Sequence, residues 1–168
     1  DEVCYSDPGI RLANGQGWTS TCWFSQDEKT FFVSNMPLHP LILAGWVKVF
    51  GESPLAVRSL GYTLAGVTVL LLCGLLRNLG YLASDWSGPL YCLLVLCGHG
   101  FVYGYRSGRY DTLCALIAAA IAYIAIYPFT RAFKLGTLTL LGILAPLAGL
   151  QLIPYLCLIG FFARVVYG

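Results

Sequence analysis

Apolar positions run on without a charged residue in four stretches of the second part of the chain: 59–76, 86–105, 112–130 and 135–163. None alternates as the strand of a closed barrel would. Open strands are excluded in lipid, where each unpaired backbone group costs several kcal/mol. A helix needs about 20 apolar residues to cross the hydrocarbon core, so the first three stretches each predict one crossing. The fourth is too long for one upright span. Pro146 and Pro154 interrupt it and Gln151 lies between them. It predicts two short helices with a turn near Gln151, or one long kinked span.

The pattern before residue 58 is different. Residues 1–36 are rich in Gly, Ser, Thr, Asp and aromatics. Residues 1–14 predict a short helix ended by Asn14-Gly15-Gln16-Gly17, because glycine accepts the left-handed cap. Pro37-Leu38-His39-Pro40 then opens an apolar stretch, 41–50, that carries only Lys48. That stretch is too short to span and predicts an interfacial, re-entrant or buried helix. Trp46 and Lys48 suit the headgroup boundary. Gly51-Glu52-Ser53-Pro54 breaks the chain before the first span. The expected fold is an all-α polytopic membrane protein. Residues 1–57 form an outer loop with short juxtamembrane helices, and residues 58–168 form a transmembrane bundle of about five helices, the last two short.

Composition strengthens this reading. Of 168 residues, 58% are hydrophobic and 11% charged, too little polar surface to coat a water-soluble domain, which carries about 25% charged residues. Aromatics at 14% exclude a disordered chain. A net charge of +2 with no dense Lys/Arg cluster excludes a nucleic-acid partner. If Arg58 lies outside, the spans put Arg77 and Asp85 inside, Arg106 to Asp111 outside, and Arg131, Lys134 and Arg164 inside, which the positive-inside rule accepts.

No GxGxxG, P-loop, HExxH or paired CxxC occurs, and no internal repeat is visible. What recurs is an order of features: an Asp1-Glu2 pair, a Gly-rich aromatic loop, Pro37-Leu38-x-Pro40, an apolar stretch ending Phe50-Gly51, Arg58 opening a long span, and Arg109-Tyr110-Asp111 heading another. Taken in sequence, these resemble the N-terminal part of the GT-C glycosyltransferases. More narrowly, the chain is similar to the bacterial dolichyl-phosphate-mannose-protein mannosyltransferase-like group, with the lipid A aminoarabinose transferases as relatives. The resemblance implies a large enzyme of the bacterial inner membrane, with residues 1–57 on the extracytoplasmic side. Such an enzyme takes a sugar from a polyprenyl-phosphate carrier and passes it to a lipid, glycan or protein acceptor. It further implies that a first transmembrane helix and a C-terminal half belong to the intact protein, of which this chain is a fragment.

The same resemblance makes Asp1 the candidate base that takes the acceptor proton, with Glu2 its catalytic neighbour; by residue type alone both are solvated acids. Asp7 before Pro8 is a weaker candidate and otherwise a turn residue. Transfer also needs cations for the leaving phosphate, best supplied by Arg. Arg58, Arg109 and Asp111 stand at span ends on the side of Asp1 and are candidates for substrate binding, or else an anchor and an Arg–Asp pair between helices. Where relatives carry a basic residue before Pro-Pro-Leu, this chain has Asn35-Met36-Pro37-Leu38, which leaves His39 and Arg11 for that role. Arg106 is favoured as an interfacial anchor, since arginine at a helix end snorkels.

His99, between Gly98 and Gly100, is a functional candidate by its place in an apolar run, or a side chain bonding a neighbouring helix. Two such separated histidines make no metal site, and no cofactor is expected. Of seven cysteines, Cys4 and Cys22 share the outer loop, where a disulfide is chemically open in an oxidising compartment. The other five lie in spans as small apolar fillers. Trp18, Trp23, Phe24, Phe31 and Phe32 are loop core or membrane anchors. The competing function is a non-enzymatic polytopic protein, transporter-like or scaffolding, which would carry broken helices and mid-membrane charges.

Overall fold

The computed structural model describes residues 2–24, 26–82, 84–154, 156–157 and 160. Seven α-helices form among them, with no strand: α1 (Glu2–Ala13), α2 (Leu38–Phe50), α3 (Pro54–Asn78), α4 (Ser87–Cys97), α5 (His99–Arg106), α6 (Asp111–Ile126) and α7 (Arg131–Ala148). Local chemistry sets most of the boundaries. Gly15 takes φ 74° just past α1, and Gly51 takes φ 84° past α2, where its N–H donates to the Val47 carbonyl at 2.8 Å. Both are left-handed positions that glycine occupies without steric cost. Ser53 caps α3 by accepting from the Ala56 N–H at 3.2 Å, with Pro54 at the first helical position, where its missing N–H is not needed.

α3, at 25 residues, is about 37 Å long by helical rise. It and α7 are long and apolar enough to cross a membrane. The stretch 86–105 is not one straight helix as expected. α4 and α5 meet at Gly98 with a bend of 66°, and together they qualify as a third span or a re-entrant loop. The Gly98-His99-Gly100 sequence explains the break, since glycine is the weakest helix former after proline; Gly98 itself is extended, at φ −61° and ψ 126°. The stretch 112–130 forms a helix only to Ile126, because Tyr127 precedes Pro128 and is pushed into the extended region (ψ 144°).

The last stretch also differs in detail. Its helix begins earlier, at Arg131, and carries Pro146 inside its final turn before ending at Ala148. The chain then turns over residues 149–151, near the expected place. Arg164 lies outside the described residues.

Leu43 and Val47 of α2, Val57, Leu60 and Leu64 of α3, Leu113, Cys114 and Ile117 of α6, and Ala145 and Ala148 of α7 form the buried core. The outer faces stay apolar: Leu55, Val67 and Leu70 on α3, Leu90, Leu93 and Leu94 on α4, and Leu140 and Ile143 on α7 are exposed. An exposed apolar surface this extensive marks an interaction surface and not a water-facing one.

Contacts define two ends. Gly61, one turn beyond Arg58, abuts Tyr105 at the close of α5, and Gly149 after α7 abuts Cys114 at the start of α6. At the far end, Gly74 meets Tyr123 late in α6, and Lys134 donates to the Ala125 carbonyl at 3.0 Å. Arg58, Arg106, Arg109 and Asp111 therefore share one end. Arg77, Asp85, Arg131 and Lys134 share the other.

Candidate active site

α1 carries the acidic residue of the site, and its sequence ties it down. Pro8 inside α1 has no N–H, so the carbonyl one turn earlier, on Cys4, loses its helical donor. The Trp23 indole supplies the replacement, Nε1 to Cys4 O at 2.7 Å. Asp7, in the helix and not a turn, accepts from Ser20 Oγ at 2.7 Å and from the Thr21 N–H at 2.9 Å. These bonds fold residues 18–23 back onto α1. Trp18 and Phe32 exchange hydrogen bonds (Trp18 Nε1 to Phe32 O at 2.7 Å, Phe32 N–H to Trp18 O at 2.9 Å), and Phe32 is fully buried while Phe24 and Phe31 are exposed. Beneath, Gly9 lets α1 press onto α2: a Cβ there would stand 3.0 Å from Leu43 and from the Pro40 carbonyl.

So anchored, Glu2 reaches Arg58 with both carboxylate oxygens, at 2.7 Å to Nε and 2.8 Å to Nη2. Hydrogen bonding to Arg58 holds its carboxyl below the ordinary range, against partial desolvation. Glu2 is ionised at neutral pH, and as a weakened proton acceptor it is better suited to fixing Arg58 than to taking a proton. Gly108 (φ 62°) lies under Glu2, where a Cβ would be 3.4 Å from its Cγ. Arg109 Nε stands 2.8 Å from Asp111 Oδ2, a charge contact without hydrogen-bond alignment. Its guanidinium lies over the Tyr5 ring at 5.3 Å and over Tyr103 at 5.9 Å, a cation–π arrangement that links α1 to the α5–α6 turn. Gln151 donates to the other oxygen of Asp111 at 3.1 Å.

Beside Arg58 opens a recess of about 410 Å³ lined by Arg58, His99, Val102, Tyr103, Arg106 and Ser107. Gly61 makes it: any Cβ there would collide with the Tyr105 carbonyl, so only glycine lets α5 come this close to α3. Two arginines, a histidine and a tyrosine line one concavity at the end of an apolar bundle. Such a donor set suits an anion with several acceptor oxygens.

The structure thus brings Glu2, Arg58, Arg109 and Asp111 to one end, and of the residues weighed from the sequence Arg58, His99 and Arg106 line the recess. Asp1 lies outside the described residues. Arg11 is turned elsewhere, with Nε donating to Thr19 Oγ1 at 2.9 Å and Nη1 lying 3.6 Å from Glu28. His39 is buried at 5% exposure in the first turn of α2, where desolvation takes its pKa down to about 4 against the opposing pull of Asp111. It is neutral at pH 7 and offers a phosphate no charge.

Arg106, His99 and Tyr103 were underrated by the sequence. The signal was their spacing, since 99, 102, 103 and 106 share one face of a helix. No protein-family model, curated protein or solved structure matches the chain at a significant level.

Proposed function

We propose that the intact protein is a polytopic glycosyltransferase of GT-C type in a bacterial inner membrane, with residues 1–57 on the extracytoplasmic side. It would move a sugar from a polyprenyl phosphate to a lipid, glycan or protein acceptor. The observation that carries this reading is the joint presence of Arg58 and Arg106 in one recess, at the end of an apolar bundle that also holds the acidic first turn of α1. In this reading the donor phosphate sits on Arg58 and Arg106, with the prenyl chain against the apolar outer faces of α3 and α4. Asp1 takes the proton of the acceptor hydroxyl, whose oxygen bonds to the anomeric carbon as the bond from that carbon to the phosphate oxygen breaks. The polyprenyl phosphate leaves with the electron pair, its charge met by the two arginines. Glu2 holds Arg58 in place, while Arg109 and Asp111 fasten α1 and the α5–α6 turn around the donor.

The test uses the full-length enzyme with a polyprenyl-phosphate sugar. Arg106→Ala should raise the donor KM by roughly 10–100-fold, the worth of a charge-assisted hydrogen bond. Asp1→Asn should lower kcat by about 10²–10⁴-fold with donor binding kept. Unchanged donor KM in Arg106→Ala would remove the basis of the proposal. The bend at Gly98 favours a second reading, a transporter-like protein with a discontinuous helix at its binding site. Counterflow of a labelled anionic solute in proteoliposomes, without any transfer product, would select it.

A further inference from the structure

We propose that Cys4 and Cys22 are joined by a disulfide in the mature protein, a covalent staple between the first turn of α1 and the loop folded back onto it. In the structure both are half-buried thiols. The Cys4 Sγ rests on the carbonyl oxygen of Cys22 at 3.3 Å. The next residue, Trp23, bonds the Cys4 carbonyl at 2.7 Å, and Ser20 Oγ accepts from the Cys22 N–H at 3.3 Å while donating to Asp7. Backbone contacts on both sides therefore hold residues 4 and 22 together through neighbours, independently of any bond between the sulfurs. Bridging requires the Cys22 side chain to turn toward a sulfur already seated against its own main chain. Within α1 and the loop that follows it, these are the two cysteines, so the pairing has no rival there.

Oxidation removes one hydrogen from each thiol. A disulfide-bearing oxidoreductase of the outer compartment accepts the two electrons and two protons and leaves as its dithiol, while the Cys4–Cys22 S–S bond forms through a mixed disulfide. The Cys22 thiol is pushed up by burial and by the nearby Asp7 carboxylate. It therefore remains protonated at neutral pH and is a slow entry point for stray oxidants. Closing this loop restricts the unfolded chain and stabilises the folded loop. It also fixes the turn that presents Glu2 to Arg58. The inference rests on the reading that residues 1–57 face the extracytoplasmic, oxidising side.

The experiment is mass spectrometry of the full-length protein, taken from membranes without reductant and alkylated with iodoacetamide during denaturation. Trypsin cuts after Arg11 and after Lys29, so Cys4 and Cys22 fall on separate peptides. The expected result is a linked pair of these peptides that dithiothreitol separates, and full alkylation of Cys22 in a Cys4→Ser variant. If both thiols are alkylated in the native sample but copper-phenanthroline then links them in membranes, the pairing geometry stands and the sidedness reading falls. The in-cell disulfide falls with it. If they stay free even after that oxidant, the pairing itself is overturned.

Discussion

Taking the protein from pH 8 to pH 5 should cost it about 2 kcal/mol through His39 alone. The perturbation is protonation of an imidazole that the fold keeps neutral. His39 sits at 5% exposure in the first turn of α2, and burial lowers its pKa from 6.5 to about 4. The unfolded chain therefore binds the proton more readily than the folded one. The contribution to stability is fully present above pH 6.5, is lost as pH falls from 6.5 toward 4, and changes no further below that. At pH 5 the unfolded histidine is almost wholly protonated and the folded one about a tenth protonated, a ratio of roughly 30 in the unfolding equilibrium. The assay is thermal unfolding of the detergent-purified protein at pH 8 and pH 5, beside His39→Gln. The variant starts from its own stability, so the readout is the difference between the two pH values. The wild type should lose several degrees more than the variant, while the carboxylates, which titrate chiefly below this window, largely cancel in the comparison. Equal losses in both proteins would refute the assignment of a buried neutral His39.

Other outcomes follow from single contacts. Gly61→Ala puts a Cβ into the Tyr105 carbonyl and should destabilise by about 1–3 kcal/mol as α5 is forced away from α3; donor KM should rise with it, and an unshifted melting temperature would contradict the close approach. Trp23→Phe removes the donor that replaces the missing Pro8 N–H at Cys4 and should cost about 1–3 kcal/mol, read by thermal unfolding; a neutral result would mean that water satisfies that carbonyl. Single cysteines at positions 77 and 109, in a cysteine-free background, should be labelled by an impermeant maleimide from opposite faces of the membrane. Labelling from the same face would break the up-and-down order of the helices.

Much of the helical plan was legible because its causes are local. The four apolar stretches, the glycines after α1 and α2, the Ser53-Pro54 start of α3 and the turn near Gln151 all act through the chain within one or two turns. The breaks at Gly98 and Tyr127 were equally local. Each carries its glycine or proline signal in the sequence, inside stretches whose length and apolarity favoured an uninterrupted span. The grouping of charges at two ends was also readable, since alternating spans must return the chain to the same side.

Which charges work together was a different matter. Arg58 and Arg106 lie on separate helices, and they share a recess because Gly61 admits the backbone of α5. His39 is a cation or a neutral packing residue according to how fully the fold buries it, and Arg11 is a free charge or a loop tether according to where residues 19 and 28 lie. Cys4 meets Cys22 because a proline in α1 frees a carbonyl for an indole nineteen residues on. Hydrophobic period and capping are short-range and sum along the chain, so the sequence by itself determined the helices. Desolvation and the meeting of charges depend on distances across the fold, so the tertiary structure alone decided the chemistry at their ends.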